Sequence, residues 1–298
     1  MEGNVYDIGD TDHKFSIQSV SKVFTLAMVM QELGSQAVYD TVGVNATGRL
    51  FNSIIAIEDK VDRPSNPLVN AGAIATTSLV KGNSYDEKWN KIITTFSKFA
   101  GRDLGVDQEV YESEAATNQR NRAIAMLLDS YGRIYYDPLE SVDIYTKQCA
   151  IAVDSHDLAV MAATLANGGV NPVTGVKLVE EEFLPKIFSV MATAGLYDDS
   201  GKWLYFVGLP GKSGVGGGVI AVAPGKFGIA AFSPRLDPSG NSQPDLFYAH
   251  LDVVPLPEES GDQREEDPWA GIAKDGYIWG RGVLDDKNTA KPFSKLQK

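Results

Sequence analysis

The chain has a single cysteine, Cys149, among 298 residues, so no disulfide can form within it. That usage fits a reducing compartment. No apolar run approaches the ~18 residues that a membrane-spanning helix needs. The opening Met1-Glu2-Gly3-Asn4 lacks the cationic-then-apolar pattern of a secretion leader. Basic runs are missing as well. With 27 Lys and Arg against 39 Asp and Glu, the formal net charge is −12, which argues against a nucleic-acid partner. Internal repeats and low-complexity tracts are also absent. These absences lead to the expectation of a cytoplasmic protein with neither a nucleic-acid nor a membrane partner.

What is present is ordinary for a globular chain: 43% apolar and 22% charged residues, and enough length to bury a core. Val5 to Ile8 reads as a short strand. Apolar residues at helical spacing run from Ile17 to Leu33, and Gly34 is a natural stop. Pro64 to Pro67 breaks the chain before Asn70-Ala71-Gly72-Ala73-Ile74, which opens a second apolar helix. Residues 85 to 130 and Ser155 to Asn167 read as amphipathic helices. After Gly195 the runs Trp203 to Val207, Gly217 to Ala223 and Gly228 to Phe232 read as antiparallel strands parted by Gly and Pro. Helices in the middle with strands gathered late predict an α+β fold, a helical lobe beside an antiparallel sheet flanked by helices. The segment from Pro234 to Ser242 reads as a boundary, dividing the chain into 1–242 and 243–298.

Two motifs carry chemistry. Ser19-Val20-Ser21-Lys22 is an S-x-x-K sequence near a helix start. Residues three apart share a helix face, so the Lys22 amine can reach the Ser19 hydroxyl. A serine becomes a nucleophile only with a base, and a lysine serves as base only when burial or nearby charge depresses its pKa. A cap serine followed by a surface lysine would look the same. The second motif, Lys212-Ser213-Gly214, opens a strand-like run and continues into Val215-Gly216-Gly217-Gly218. A helical S-x-x-K followed by a strand-borne K-[ST]-G is the pairing of the β-lactamase and penicillin-binding group. The glycines admit close backbone approach and leave N–H groups free for an oxyanion.

Longer strings resemble the serine-dependent glutaminase family. They are Phe15-Ser16-Ile17-Gln18-Ser19-Val20-Ser21-Lys22-Val23-Phe24, Asn66 to Ile74, Tyr145 to Cys149, Ala192 to Asp198, and Lys212 to Gly218, in family order across about residues 5–242. The resemblance implies a β-lactamase/penicillin-binding-like fold and hydrolysis of L-glutamine to L-glutamate and ammonia through an acyl-serine. It implies no metal or organic cofactor, and a homo-oligomer. Carried over position by position, it implies Ser19, Lys22 and Tyr197 as catalytic residues. Substrate contacts would come from Ser19, Asn70, Glu114, Asn121, Tyr145, Tyr197 and Val215. A carboxylate such as Glu114 suits the α-ammonium of glutamine, the two asparagines are neutral donors, and the N–H groups of Ser19 and Val215 suit an oxyanion hole. Without the resemblance, Glu114 reads as a solvated helix residue, Asn70 as a cap and both tyrosines as ordinary aromatics.

Against the family pattern, the chain lacks a first helix, a central strand and a tyrosine ahead of the nucleophile, so the fold is expected to be N-terminally truncated. The tail differs too. Leu246 to Pro255 and Asp275 to Asn288 resemble a zinc-dependent carboxypeptidase/aminoacylase family, in which His250 and Asp285 would be ligands and Asp252 would orient the histidine. Two ligands are short of the three that a catalytic zinc needs, so 243–298 reads as a partial fragment without a metal. The rival readings are therefore a zinc peptidase or deacylase acting through the tail, and an inactive glutaminase remnant. A β-lactamase-like hydrolase is disfavoured, because the Asn70, Glu114 and Asn121 set suits an amino-acid head group better than a lactam.

Overall fold

A computed structural model describes residues 5–58, 63–234, 236–237 and 240–241, and the backbone of 272–274 and 277–279. Residue contacts divide the chain into two compact units, Met1–Gln243 and Pro244–Lys298.

In the first unit, β1 (Phe15–Ser16) runs into a single 3-10 turn (Gln18–Val20) and then α1 (Ser21–Leu33). Gly34 ends α1 as expected, with φ 84° and its N–H on the Met30 carbonyl. The short helices α2 (Ser35–Thr41) and α3 (Ile55–Glu58) lead to α4 (Asn70–Leu79). The stretch expected to be helical from 85 to 130 is three helices: α5 (Tyr85–Ala100), α6 (Gln108–Thr117) and α7 (Gln119–Ser130), with β2 (Gly105–Val106) after the first. Local signals account for the breaks. Ser84 accepts the Glu87 N–H at the start of α5, left-handed Gly101 stops it, and Asp107 caps α6. Next come α8 (Pro138–Cys149), β3 (Ile151–Val153) and α9 (Ser155–Ala166), the last opened by an Asp154/Asp157 capping box. Then follow α10 (Leu184–Ala194), α11 (Ser200–Val207), β4 (Gly211–Ser213), β5 (Gly218–Ala223) and β6 (Phe227–Phe232).

The expected mixture of helices and antiparallel sheet is present, with the strands of this unit in two small sheets, β1-β3-β2 and β4-β5-β6, each antiparallel. Every residue of β5 is buried, and α9 packs on β5 and β6. Every residue of α1 from Ser21 to Met30 is buried, so this helix is enclosed rather than merely amphipathic. One apolar cluster gathers Phe24, Phe96, Phe99, Met161 and Ile220 around it. A second joins α4, α7 and α8 through Ile74, Ile124, Leu128 and Tyr145. Outside the helices, Arg102 and Lys14 pair with the two cap carboxylates of α9, Asp157 and Asp154, fastening the start of β1 to that helix.

Two expectations fail. Trp203 to Val207 lies inside α11 and is not a strand. Trp203 and Val207, four apart, turn partly inward while Tyr205 is 84% exposed, which a period of two would have buried beside Trp203. Left-handed Gly208 then ends the helix, and the Trp203 indole donates to the Leu209 carbonyl. Val5 to Ile8 pairs with no strand among the described residues, and Tyr6 and Ile8 are exposed. A β-prone run with neither a partner nor a buried face gains nothing from extending. In the second unit, β7 (Ile272–Lys274) and β8 (Tyr277–Trp279) pair as an antiparallel hairpin.

Phe24 meets Phe99 and Phe96 with ring centroids 5.1 and 6.0 Å away. Phe24→Ala should cost about 3–5 kcal/mol of unfolding free energy, read by chemical denaturation of the purified chain.

Candidate active site

The nucleophile candidate sits where the chain changes conformation. Ser19 occupies the 3-10 turn that feeds α1, is 7% exposed, and follows Gln18, whose φ is +50°. Lys22 stands one turn further on. Its side chain is 1% exposed, and its amine donates to the Leu68 carbonyl (3.0 Å) and to Asn70 Oδ1 (2.8 Å), with the Tyr145 ring centroid 5.8 Å away. Burial lowers its pKa to about 8, against a smaller upward pull from Cys149. Lys22 makes no hydrogen bond to Ser19 here; two of its three N–H donors go to Leu68 and Asn70 at the start of α4.

Asn70 is the hub. Its N–H reaches the Phe51 carbonyl (2.8 Å), its Oδ1 takes Lys22 and, at 3.4 Å, the Tyr145 hydroxyl, and its Nδ2 donates to Asn121 Oδ1 (3.1 Å). Four expected residues, Lys22, Asn70, Asn121 and Tyr145, thus form one connected cluster drawn from α1, α4, α7 and α8. Burial raises the Tyr145 pKa well above the usual phenol range. Glu114, on α6, joins from the other side by accepting from Gln18 Nε2 at 2.5 Å. Burial raises its pKa, with the Gln18 hydrogen bond opposing.

Val215 lies in the turn between β4 and β5 and is 43% exposed. This turn is pressed onto the segment ahead of Ser19: a Cβ on Gly216 would stand 2.3 Å from the Ser16 carbonyl, and one on Gly214 3.1 Å from that of Ile17. At Gly216 only glycine allows that approach, and at Gly214 a side chain would need the neighbouring backbone to give by a few tenths of an ångström. Among the described residues, neither the Ser19 nor the Val215 N–H is taken up by a hydrogen bond within the protein.

Tyr197 closes the site. It has φ +55°, and its ring lies against Phe51, tilted by 32° with centroids 4.5 Å apart. Its hydroxyl is buried without a partner at hydrogen-bond geometry. Burial pushes the phenol up to about 12, against a smaller downward pull from nearby Ser19. The sequence does not mark Gln18 or Phe51 as part of the site, nor Lys212 as a neighbour of Tyr197. Gln18 and Lys212 lie inside motifs already singled out, but no spacing rule marks a positive φ or a buried amine.

Among the described residues no group of three His, Cys, Asp or Glu is arranged to hold a metal. His250, Asp252 and Asp285 lie outside the described residues. No described helix is long and apolar enough to cross a membrane.

The glutaminase family model matches residues 1–249, and that of peptidase family M20/M25/M40 matches residues 246–290. The chain is 55% identical over 240 residues to a glutaminase of Colwellia psychrerythraea, covering 80% of this chain and 77% of that one. It is 51% identical over 240 residues to glutaminase 2 of Yersinia pestis, covering 80% and 71%. Among solved structures, the probable glutaminase ybaS superposes with a TM-score of 0.80 at 50% identity, covering 81% of this chain and 78% of that one. A Bacillus glutaminase solved in 4.3 M NaCl gives 0.76 at 35% identity, covering 79% and 81%. A family model spanning most of the chain, together with relatives above half identity, establishes that this chain belongs to the glutaminase family.

Proposed function

We propose that the chain hydrolyses L-glutamine with Ser19 as nucleophile and Lys22 as base. The observation that carries this reading is the Lys22 amine: desolvated, lowered to about 8, and one helical turn from Ser19. Ser19 Oγ attacks the side-chain amide carbon of glutamine and its proton passes to Lys22 Nζ. The carbonyl oxygen becomes an oxyanion held by the N–H groups of Ser19 and Val215. The tetrahedral species collapses as the leaving nitrogen takes a proton from the Tyr197 hydroxyl, which Lys22 restores, and ammonia departs from a glutamyl ester on Ser19. Water then attacks the ester, its proton returns to Ser19 Oγ through the same amine, and glutamate leaves. One water is consumed and one ammonia released.

Recognition follows from charge. Glu114 faces the α-ammonium of the substrate, and the amides of Asn70 and Asn121 with the Tyr145 hydroxyl serve its polar head group. The reading also carries a β-lactamase/penicillin-binding type of fold, since a helical S-x-x-K and a strand-borne K-S-G lie side by side. A division near 242, a homo-oligomer and a cytoplasmic setting accompany it.

Ser19→Ala and Lys22→Met should each lower kcat by about 10³-fold or more, and the double variant should lose little beyond either, because the two act as one unit. Ammonia release from L-glutamine measures this; substantial turnover by Ser19→Ala would remove the nucleophile assignment.

The base must be neutral to accept a proton. A lysine with a pKa near 8 is protonated below that pH, so kcat/KM should rise about tenfold per pH unit and level off above about 8. Lys22→Arg, whose guanidinium stays charged, should be inactive throughout.

Glu114→Gln should weaken glutamine binding by roughly 2 kcal/mol, seen in KM more than in kcat. An unchanged KM would reject the Glu114 assignment.

A further inference from the structure

Lys212 opens Lys212-Ser213-Gly214 on β4 and has no part in the steps above. Like Lys22, it is among the largest fully buried side chains, at 0% exposure. It pairs with no carboxylate among the described residues. Its amine instead donates to the Gly195 carbonyl (2.8 Å) and the Ser213 carbonyl (2.5 Å), and stands 4.3 Å from the centroid of the Tyr197 ring. Two carbonyl oxygens and the negative face of a ring make three electron-rich partners for three N–H bonds. A neutral amine would turn a lone pair toward one of them. Burial, with the Lys22 charge adding, lowers the Lys212 pKa well below the usual lysine range, and the surrounding acceptors oppose this by favouring the ammonium.

What this amine grips is the turn that carries Tyr197. The Gly195 carbonyl, two residues ahead of Tyr197, accepts both Lys212 Nζ and, at 3.3 Å, the Ser213 N–H. A Cβ on Gly195 would stand 1.8 Å from the Gly211 carbonyl, so the turn is pressed directly onto β4. On the far side, Ser213 Oγ donates to Asn241 Oδ1 (2.6 Å), and Asn241 Nδ2 donates to Asp199 Oδ2 (3.3 Å), two residues beyond Tyr197. Consecutive strand residues therefore hold both ends of a turn whose middle residue has φ +55°. A tyrosine in that conformation is strained by about 1 kcal/mol or more and persists only where its surroundings impose it.

We propose that Lys212 is a positioning residue for glutamine hydrolysis: its amine, clamped by two carbonyls, supports the Tyr197 ring and keeps the Tyr197 hydroxyl aimed at the Ser19 site. This rests on the reading of Tyr197 as proton donor to the leaving nitrogen.

The test is a double-mutant cycle of Lys212→Met and Tyr197→Phe in the full chain, with kcat and KM for L-glutamine measured per folded molecule. Tyr197→Phe should lower kcat about 10²-fold. Lys212→Met should lower kcat about tenfold with KM nearly unchanged, yet alter kcat less than about twofold when Tyr197→Phe is already present. The same loss in both backgrounds, or a loss confined to KM, would make Lys212 a general structural or binding residue and overturn the proposal. Full kcat in Tyr197→Phe would instead remove the proton-donor reading itself, a separate failure. Should thermal melting show Lys212→Met unfolded, Lys212→Gln enters the same cycle. It keeps a donor for the Gly195 carbonyl without a charge beneath the ring, and its smaller kcat loss should likewise vanish beside Tyr197→Phe. Loss of folding in both variants would assign Lys212 to stability and end the proposal.

Discussion

An amine removed from water must find its hydrogen-bond partners inside the protein, and the site is organised around Lys22 for that reason. The amine is met by the Leu68 carbonyl and by Asn70 and, among the described residues, by no acidic partner. A carboxylate there would hold the lysine protonated, whereas burial brings its pKa down to about 8. Satisfying this one group requires the start of α4 to approach α1. Asn70 then passes the constraint on to Asn121 of α7 and Tyr145 of α8. The buried Gln148, which donates to Ser21 Oγ and accepts from Thr25, ties α8 to α1 alongside them. The helical part of the first unit is thus cross-linked through polar groups at the place where the chemistry needs low dielectric.

The second constraint is conformational. Among the described residues, the non-glycine residues with positive φ are Gln18 and Tyr197. One immediately precedes Ser19 and the other carries a hydroxyl close to it. Neither conformation is chosen by the residue itself. Gln18 is held by its hydrogen bonds to Glu114 and Ser16 and by the glycines of the β4–β5 turn, and Tyr197 by the clamp from β4. Local strain at both positions is offset by packing elsewhere, as expected where geometry serves reaction rather than stability.

Much of the fold was legible because its signals are local. The stop of α1 at Gly34, the start of α4 after Pro67, the span of α9 and the paired strands β5 and β6 follow from periodicity, caps and glycine. Trp203 to Val207 departs from the strand expectation: its composition is β-prone, while its fate is decided by a left-handed glycine and by which face finds cover. In the site, Ser19 and Lys22 are marked by their spacing. Glu114, Asn121 and Tyr197 are not: each is an unremarkable polar or aromatic residue until family order assigns it a neighbour. Gln18 and Phe51 carry no signal of role in one sequence, and Lys212 is marked only by its place in the K-S-G motif.

By itself the sequence determined the family, the order of the elements, and the presence of a serine and a lysine on one face of a helix start. Those properties depend on side chains a few residues apart, whose relation is set by helical and extended geometry alone. Only the tertiary structure decided that Lys22 is desolvated and bonded to Asn70, that the Ser19 and Val215 N–H groups find no partner among the described residues, and that Lys212 lies beneath Tyr197. Burial and contact between Lys22 and Asn70, or between Lys212 and Gly195, depend on how distant segments pack. No local propensity encodes how far an amine lies from water.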